Sequence, residues 1–328
     1  MKRHLTRQKS AEASTGALPG RGLFARPVTS RPHDSVVAGT TPRLSRIPDM
    51  LQGDALVLGG GGVTGVAWET GVLAGLSEAG LDLSTAELLI GTSAGAAVAA
   101  QLGSGTPLAT LLEFQLAGSS KEIPATLAPA LLVRYFWAML TQRDQAGYGR
   151  AMGRLALGAT TVDEAERRVA IASRLPSHEW PERPLQLTTV NALTGAFRVF
   201  ERDDGVPLVD AVAASCAVPG VWPPVSIEGQ KWIDGGMRSA VNANLAAGRA
   251  RVVILAPTTG GVGAVPSVGE QVAALRAAGA AVVVVSPDRD ARSQMGRNAL
   301  DPAKRAAAAQ AGHRQAALEL DRVAAVWR

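Results

Sequence analysis

The chain is 328 residues long, 47% apolar and 4% aromatic, with 36 glycines and a formal net charge of +5. That apolar content suits one large core or two modest ones and excludes a disordered or fibrous chain. Residues 1–50 hold nine Lys/Arg against three Asp/Glu, or +6, and the remaining 24 against 25 make −1, so the folded part is near neutral. Cys216 is the only cysteine, which excludes an intrachain disulfide and a cysteine metal cluster.

Residues 1–48 are rich in Arg, Ser, Thr, Pro and Gly, show no apolar periodicity, and are expected to form a disordered basic tail ahead of a folded domain over 49–328. A basic tail attracts nucleic acid or anionic lipid at long range, but no nucleic-acid partner is expected. The basic N-terminus lacks the apolar run of a secretory signal, and no stretch of about 18 apolar residues predicts a membrane span. A cytoplasmic location is expected.

The first strand is predicted at Ala55–Leu58, ending in four glycines, with a helix over Val66–Ala79. A second run, Leu88–Ile90, enters Gly91-Thr92-Ser93-Ala94-Gly95 and a helix over Ala96–Leu102. Pro107–Arg174 reads as mostly helical. Strands follow at Leu185–Val190 and Phe197–Glu201, a helix at Val209–Ala217, and a hairpin of Val225–Glu228 and Lys231–Ile233. Buried strands at Arg251–Leu255 and Ala281–Val285 flank a helix over Val268–Ala278, and a last helix covers Pro302–Val326. Strands alternating with helices argue for an α/β fold with a parallel sheet covered on both faces.

Three motifs carry chemistry. In Gly91-Thr92-Ser93-Ala94-Gly95 a serine stands between strand and helix with glycine two residues to either side, the pattern of a nucleophile elbow. The turn lifts the hydroxyl clear at a helix N-terminus that favours developing negative charge. The loop Gly59–Gly65 lacks the Lys of a phosphate-binding P-loop. It matches a dinucleotide fingerprint at Gly60, Gly62 and Gly65, with Asp82 or Glu87 as its acid, and equally an oxyanion hole of bare amides. The third motif is Asp234-Gly235-Gly236 at the end of the hairpin. A serine nucleophile needs a base, and the histidines at 4, 33, 178 and 313 have no turn context for that role. A carboxylate bonded directly to the serine in a dry site is the other option.

In this order the motifs resemble the patatin-like phospholipase family: a glycine-rich oxyanion loop, GxSxG on the next strand–helix unit, and a distant Asp-Gly-Gly. Ala213–Pro224, a small-residue helix end followed by Pro219 and Trp222-Pro223-Pro224, adds to the match. The resemblance implies a three-layer α/β/α fold with a mainly parallel central sheet and a lipid acyl-ester hydrolase. It implies Ser93 as nucleophile, Asp234 as base, and Gly60, Gly61 and Gly62 as the oxyanion hole, with Gly65, Gly91, Gly95, Gly235 and Gly236 as motif glycines and no metal or cofactor. A lipid or other acyl-ester substrate is expected, with transient contact at a membrane surface. One departure is Thr64, where the family usually carries Arg or Lys.

Alternatives remain: an α/β-hydrolase triad through His313 with Asp288 or Asp301, a nucleotide-binding module on Gly59–Gly65, and Cys216 as nucleophile. The apolar stretch with Leu131, Leu132, Tyr135, Phe136, Trp137 and Leu140, within 118–150, is either a lid or a packed helix. Packing is the expectation, because apolar helix faces are usually core.

Overall fold

Short runs of Val, Leu and Ile, apolar on both faces, form the strands that organise the molecule. The computed structural model describes residues 51–117 and 122–328, and the tail expected over 1–48 lies outside them. The strands are β1 (Asp54–Leu58), β2 (Leu88–Gly91), β3 (Leu185–Asn191), β4 (Phe197–Phe200), β5 (Val225–Ile227), β6 (Gln230–Asp234), β7 (Arg251–Leu255) and β8 (Ala281–Val285). They make one sheet in the order β5-β6-β3-β2-β1-β7-β8, with β4 paired to β3. From β3 through β8 in that order every pairing is parallel; β4, β5 and β6 are antiparallel additions at the β3 end.

The helices are α1 (Gly62–Glu78), α2 (Ala94–Gly103), α3 (Leu108–Ala117), α4 (Pro129–Thr141), α5 (Gln145–Leu157), α6 (Glu164–Ala172), α7 (Leu208–Ser215), α8 (Val268–Ala277), α9 (Arg289–Met295) and α10 (Arg305–Trp327). Alternation along the strands divides the core in two. Leu56, Leu58, Leu89, Leu187, Val253 and Leu255 pack with α1, α2, α7 and α10. Ala55, Val57, Ile90, Val252 and Ile254 pack with α8, while Val190 and Ile233 pack with α5. The result is the expected three-layer α/β/α architecture with a mainly parallel sheet.

Two differences from expectation have local causes. α1 begins at Gly62 rather than Val66 because the glycine loop is its own first turn: the Gly65 N–H donates to the Gly61 carbonyl at 2.8 Å. The helix expected to pack, α4, has no buried residue. Leu131, Tyr135 and Met139 pack inward, while Leu132, Val133, Phe136, Trp137 and Leu140 are roughly half exposed. Its apolar surface is wider than the side it rests on.

α1 and α10 cross closely through small residues. A Cβ at Gly71 would lie 2.1 Å from the Ala309 carbonyl oxygen, and one at Gly312 would lie 2.3 Å from that of Trp68. The Trp68 indole N–H donates to Gln315 at 2.9 Å and fixes the register. Gly71→Ala is therefore expected to lower stability by about 1–3 kcal/mol through overpacking, measured as a lower urea midpoint; an unchanged midpoint contradicts the close crossing.

Candidate active site

β2 ends at Gly91 and α2 begins at Ala94, leaving only Thr92 and Ser93 to reverse the chain. A Cβ at Gly95 would meet the Leu58 carbonyl oxygen at 2.1 Å, and one at Gly91 the Ala96 Cα at 2.6 Å, so the turn closes only with glycine at both. Ser93 has φ 54° and ψ −114°, a strained conformation for a residue with a side chain. It is pinned from α7: its N–H donates to the Ser215 hydroxyl at 3.0 Å, and the Cys216 thiol donates to its carbonyl at 3.1 Å. Burial pushes the Cys216 thiol up to about 12. The cysteine is thus a neutral donor holding the turn, not a thiolate.

β3 brings the second motif alongside. Leu187 stands opposite Gly91 of β2, and Thr189, two residues on, stands opposite Asp234 at the end of β6. The Ser93 hydroxyl donates to Asp234 Oδ2 at 2.7 Å, across 141 residues of chain. Asp234 Oδ1 accepts the Gly236 N–H at 2.7 Å. Gly235 lies against β3, where a Cβ would come 2.2 Å from Thr188 Oγ1. Burial raises the Asp234 carboxyl to about 7, against the opposing pull of the hydrogen bonds from Ser93 and Gly236.

A buried polar brace stands behind the pair. The Asn242 amide nitrogen lies 3.1 Å from Thr92 Oγ1, 3.3 Å from Thr188 Oγ1 and 3.3 Å from the Gly235 carbonyl, tying the turn before Ser93 to the turn after Asp234.

The glycine loop lies against the same turn. The Gly60 N–H donates to the Ala240 carbonyl at 2.8 Å, so this amide, expected in the oxyanion hole, is already engaged. The amides of Gly61, Gly62 and Ala94 have no acceptor among the described residues. Gly65 lies close to the elbow, where a Cβ would come 3.5 Å from that of Ala94. Fully buried Glu69 on α1 holds the loop's start, accepting the Gly59 N–H at 2.9 Å, and burial raises its carboxyl well above the usual range. Thr64 is buried and its N–H donates to the Ala299 carbonyl at 3.1 Å, so no cation stands on the loop. Gly62, Ser93 and Ala94 share a recess of about 20 Å³ with Arg167, Cys216 and Trp222, room for about one water.

The alternative sites are not brought together. His313 lies 2.8 Å from Glu78 on the α1–α10 surface, and His178 is 3.0 Å from the Ala172 carbonyl. Asp288 and Asp301 accept backbone N–H groups at helix starts. Asp82 caps a short 3-10 turn and Glu87 faces Arg249, so neither serves the glycine loop. Ser215, Asn242 and Glu69 were not foreseen. The only sequence signal for them is polarity within otherwise small or apolar stretches.

The family model for patatin-like phospholipase matches residues 56–247. Among solved structures the chain is similar to VipD from Legionella pneumophila, at 14% identity and TM-score 0.42, covering 83% of this chain and 67% of that one. It is also similar to the type III effector protein ExoU, at 16% identity and TM-score 0.37, covering 83% of this chain and 53% of that one. The chain thus spans about half the length of the second. None of the curated proteins compared with it matches.

A carboxyl whose pKa is higher folded than unfolded stabilises the fold at low pH, and that stability is lost as pH rises through the folded value. Between the usual carboxylate range and about 7, ionising Asp234 therefore costs the fold up to about 4 kcal/mol. Asp234→Asn is expected to raise the melting temperature above wild type by several degrees at pH 8, the gap narrowing towards pH 4. A gap independent of pH contradicts the burial argument.

Proposed function

Because the chain belongs to the patatin-like phospholipase family, a family of lipid acyl hydrolases, we propose that Ser93 is its nucleophile and Asp234 its only base. The observation that carries this is the 2.7 Å hydrogen bond between the two side chains, with no histidine among the described residues bonded to either. Ser93 Oγ attacks the ester carbonyl while ionised Asp234 takes its proton. The same proton passes to the departing alkoxide. Water, deprotonated in turn by Asp234, then cleaves the acyl-serine. A carboxyl with a pKa near 7 accepts and returns a proton at neutral pH with little driving force lost either way.

In this reading the oxyanion is met by the amides of Gly61 and Gly62, with the Ala94 amide at the start of α2 as a third donor. Gly60 serves differently from expectation: its N–H, bonded to Ala240, fixes the loop that presents the other two. Gly65, Gly91 and Gly95 keep loop, strand and helix close, and Gly235 and Gly236 shape the turn that holds the carboxylate.

α4 supports a membrane-surface role. Its half-exposed face of Leu132, Val133, Phe136, Trp137 and Leu140 adjoins the site through Tyr135, whose hydroxyl donates to the Pro219 carbonyl at 2.6 Å. Burial, then the Asp234 charge, holds the Tyr135 hydroxyl above its ordinary range, so it stays a neutral donor. Among the described residues no helix is long and apolar enough to cross a membrane. Contact is therefore read as peripheral, with the exposed apolar face against the lipid.

Three outcomes are expected. Ser93→Ala and Asp234→Asn each reduce kcat/KM on a p-nitrophenyl ester by at least about 10³-fold, whereas His313→Ala stays within about twofold of wild type, on the scale where tenfold is 1.36 kcal/mol; a large loss in the histidine variant favours a triad. The wild-type kcat/KM rises with pH to a plateau, with its midpoint near 7, because the base is active only when ionised; a flat profile from pH 5 to 9 contradicts Asp234 as base. Phe136→Ser with Trp137→Ser weakens sedimentation with anionic phospholipid vesicles, and unchanged binding removes α4 from the lipid surface.

A further inference from the structure

Arg167 on α6 is an uncommon object: a guanidinium only 4% exposed that makes no hydrogen bond or ion pair among the described residues. Its Nη1 is buried without a partner. Its Cζ lies 3.8 Å from the Trp222 ring centroid, which orients the plane but leaves its N–H edges unpaired. The nearby carboxylates are engaged elsewhere. Glu164 accepts from Lys231 at 2.8 Å and from Ser226, and Asp210 pairs with Arg168.

Behind it the balance stays positive. Arg174 donates to Glu122 at 2.6 Å, and Arg305 reaches the same carboxylate at 3.7 Å, while Arg174 Nε is buried and unpartnered. Two arginines thus share one carboxylate, and with Arg167 beside them the group carries a net +2. A buried charge without a partner is costly. Burial and the neighbouring Arg174 lower the Arg167 guanidinium to about 9, still cationic at neutral pH. Both arginines line the recess that holds Ser93 and Gly62. Arg174 is also a wall of a groove of about 470 Å³ with Gln101, Phe114 and Arg305, which supplies room that the recess lacks.

We infer that Arg167, backed by Arg174, forms an anion subsite beside Ser93 that takes a phosphate group carried by the substrate ester. Two parallel N–H edges match two phosphate oxygens, and the ligand supplies the partner that Arg167 lacks among the described residues. The cation absent from the glycine loop, where Thr64 is buried against Ala299, is thereby provided from α6 across the recess. The inference rests on Ser93 as the reacting residue and adds where, and by what, an anionic substrate is held.

The test compares full-length wild type, Arg167→Gln and Arg167→Lys on a lysophosphatidic acid and on the monoacylglycerol with the same acyl chain. The ratio of kcat/KM for the phosphate-bearing over the neutral ester is expected to fall at least tenfold in Arg167→Gln and less in Arg167→Lys. A ratio within twofold of wild type in a glutamine variant that still reacts with a fluorophosphonate overturns the subsite alone. Undiminished reaction of Ser93→Ala with the same probe overturns the assignment beneath it. Where Arg167→Gln does not fold, inhibition of wild-type p-nitrophenyl butyrate hydrolysis decides. Competition by glycerol 3-phosphate alone supports a subsite for an ester-borne headgroup, and equal competition by inorganic phosphate supports one open to the free anion. If neither competes better than glycerol, the inference fails.

Discussion

The site depends on one strand serving as a common ruler. β3 pairs with the end of β2 at Leu187 and with the end of β6 at Thr189, so Gly91 and Asp234 are set two residues apart along a single backbone. Ser93, lifted by the elbow, then needs only the length of its own side chain to reach the carboxylate. Strand register cannot drift by one residue without turning every side chain to the opposite face, and both faces of this sheet are core. Burial of the sheet therefore fixes the distance between Ser93 and Asp234.

The same burial makes the site costly. Asp234 is lodged where its charged form is disfavoured, Glu69 sits fully buried beneath the glycine loop, and Ser93 keeps a backbone conformation that side chains rarely adopt. Arg167 is buried with its Nη1 unpartnered among the described residues. Each would be a defect in an ordinary core. Ser215, Cys216 and the Asn242 brace hold the elbow and the Asp234 turn in place around a small, partly polar recess.

Much of the fold was legible because its signals are local. The strand–glycine–helix units and the pattern of strands apolar on both faces come from periods and turns within a few residues, and Ser93 stood out between Gly91 and Gly95 for the same reason. Asp234 was less plain: Asp-Gly-Gly is an ordinary turn until placed beside Ser93. What escaped depends on distant contacts. The Ser215 hydroxyl meets a backbone N–H 122 residues away, and nothing in Ala214-Ser215-Cys216 announces it. Gly60 is indistinguishable in sequence from Gly61 and Gly62, since only a long-range acceptor, Ala240, separates them. The aromatic helix α4 was expected in the core because periodicity reports an apolar face without saying whether anything covers it.

If Ser93 opens an ester under the action of Asp234, acid-quenching the enzyme during turnover of a slow ester and weighing its peptides finds an acyl group on the peptide bearing Ser93 in wild type, and none within the same interval in Asp234→Asn. An acyl group on another residue, or equal acylation without the carboxylate, would contradict it.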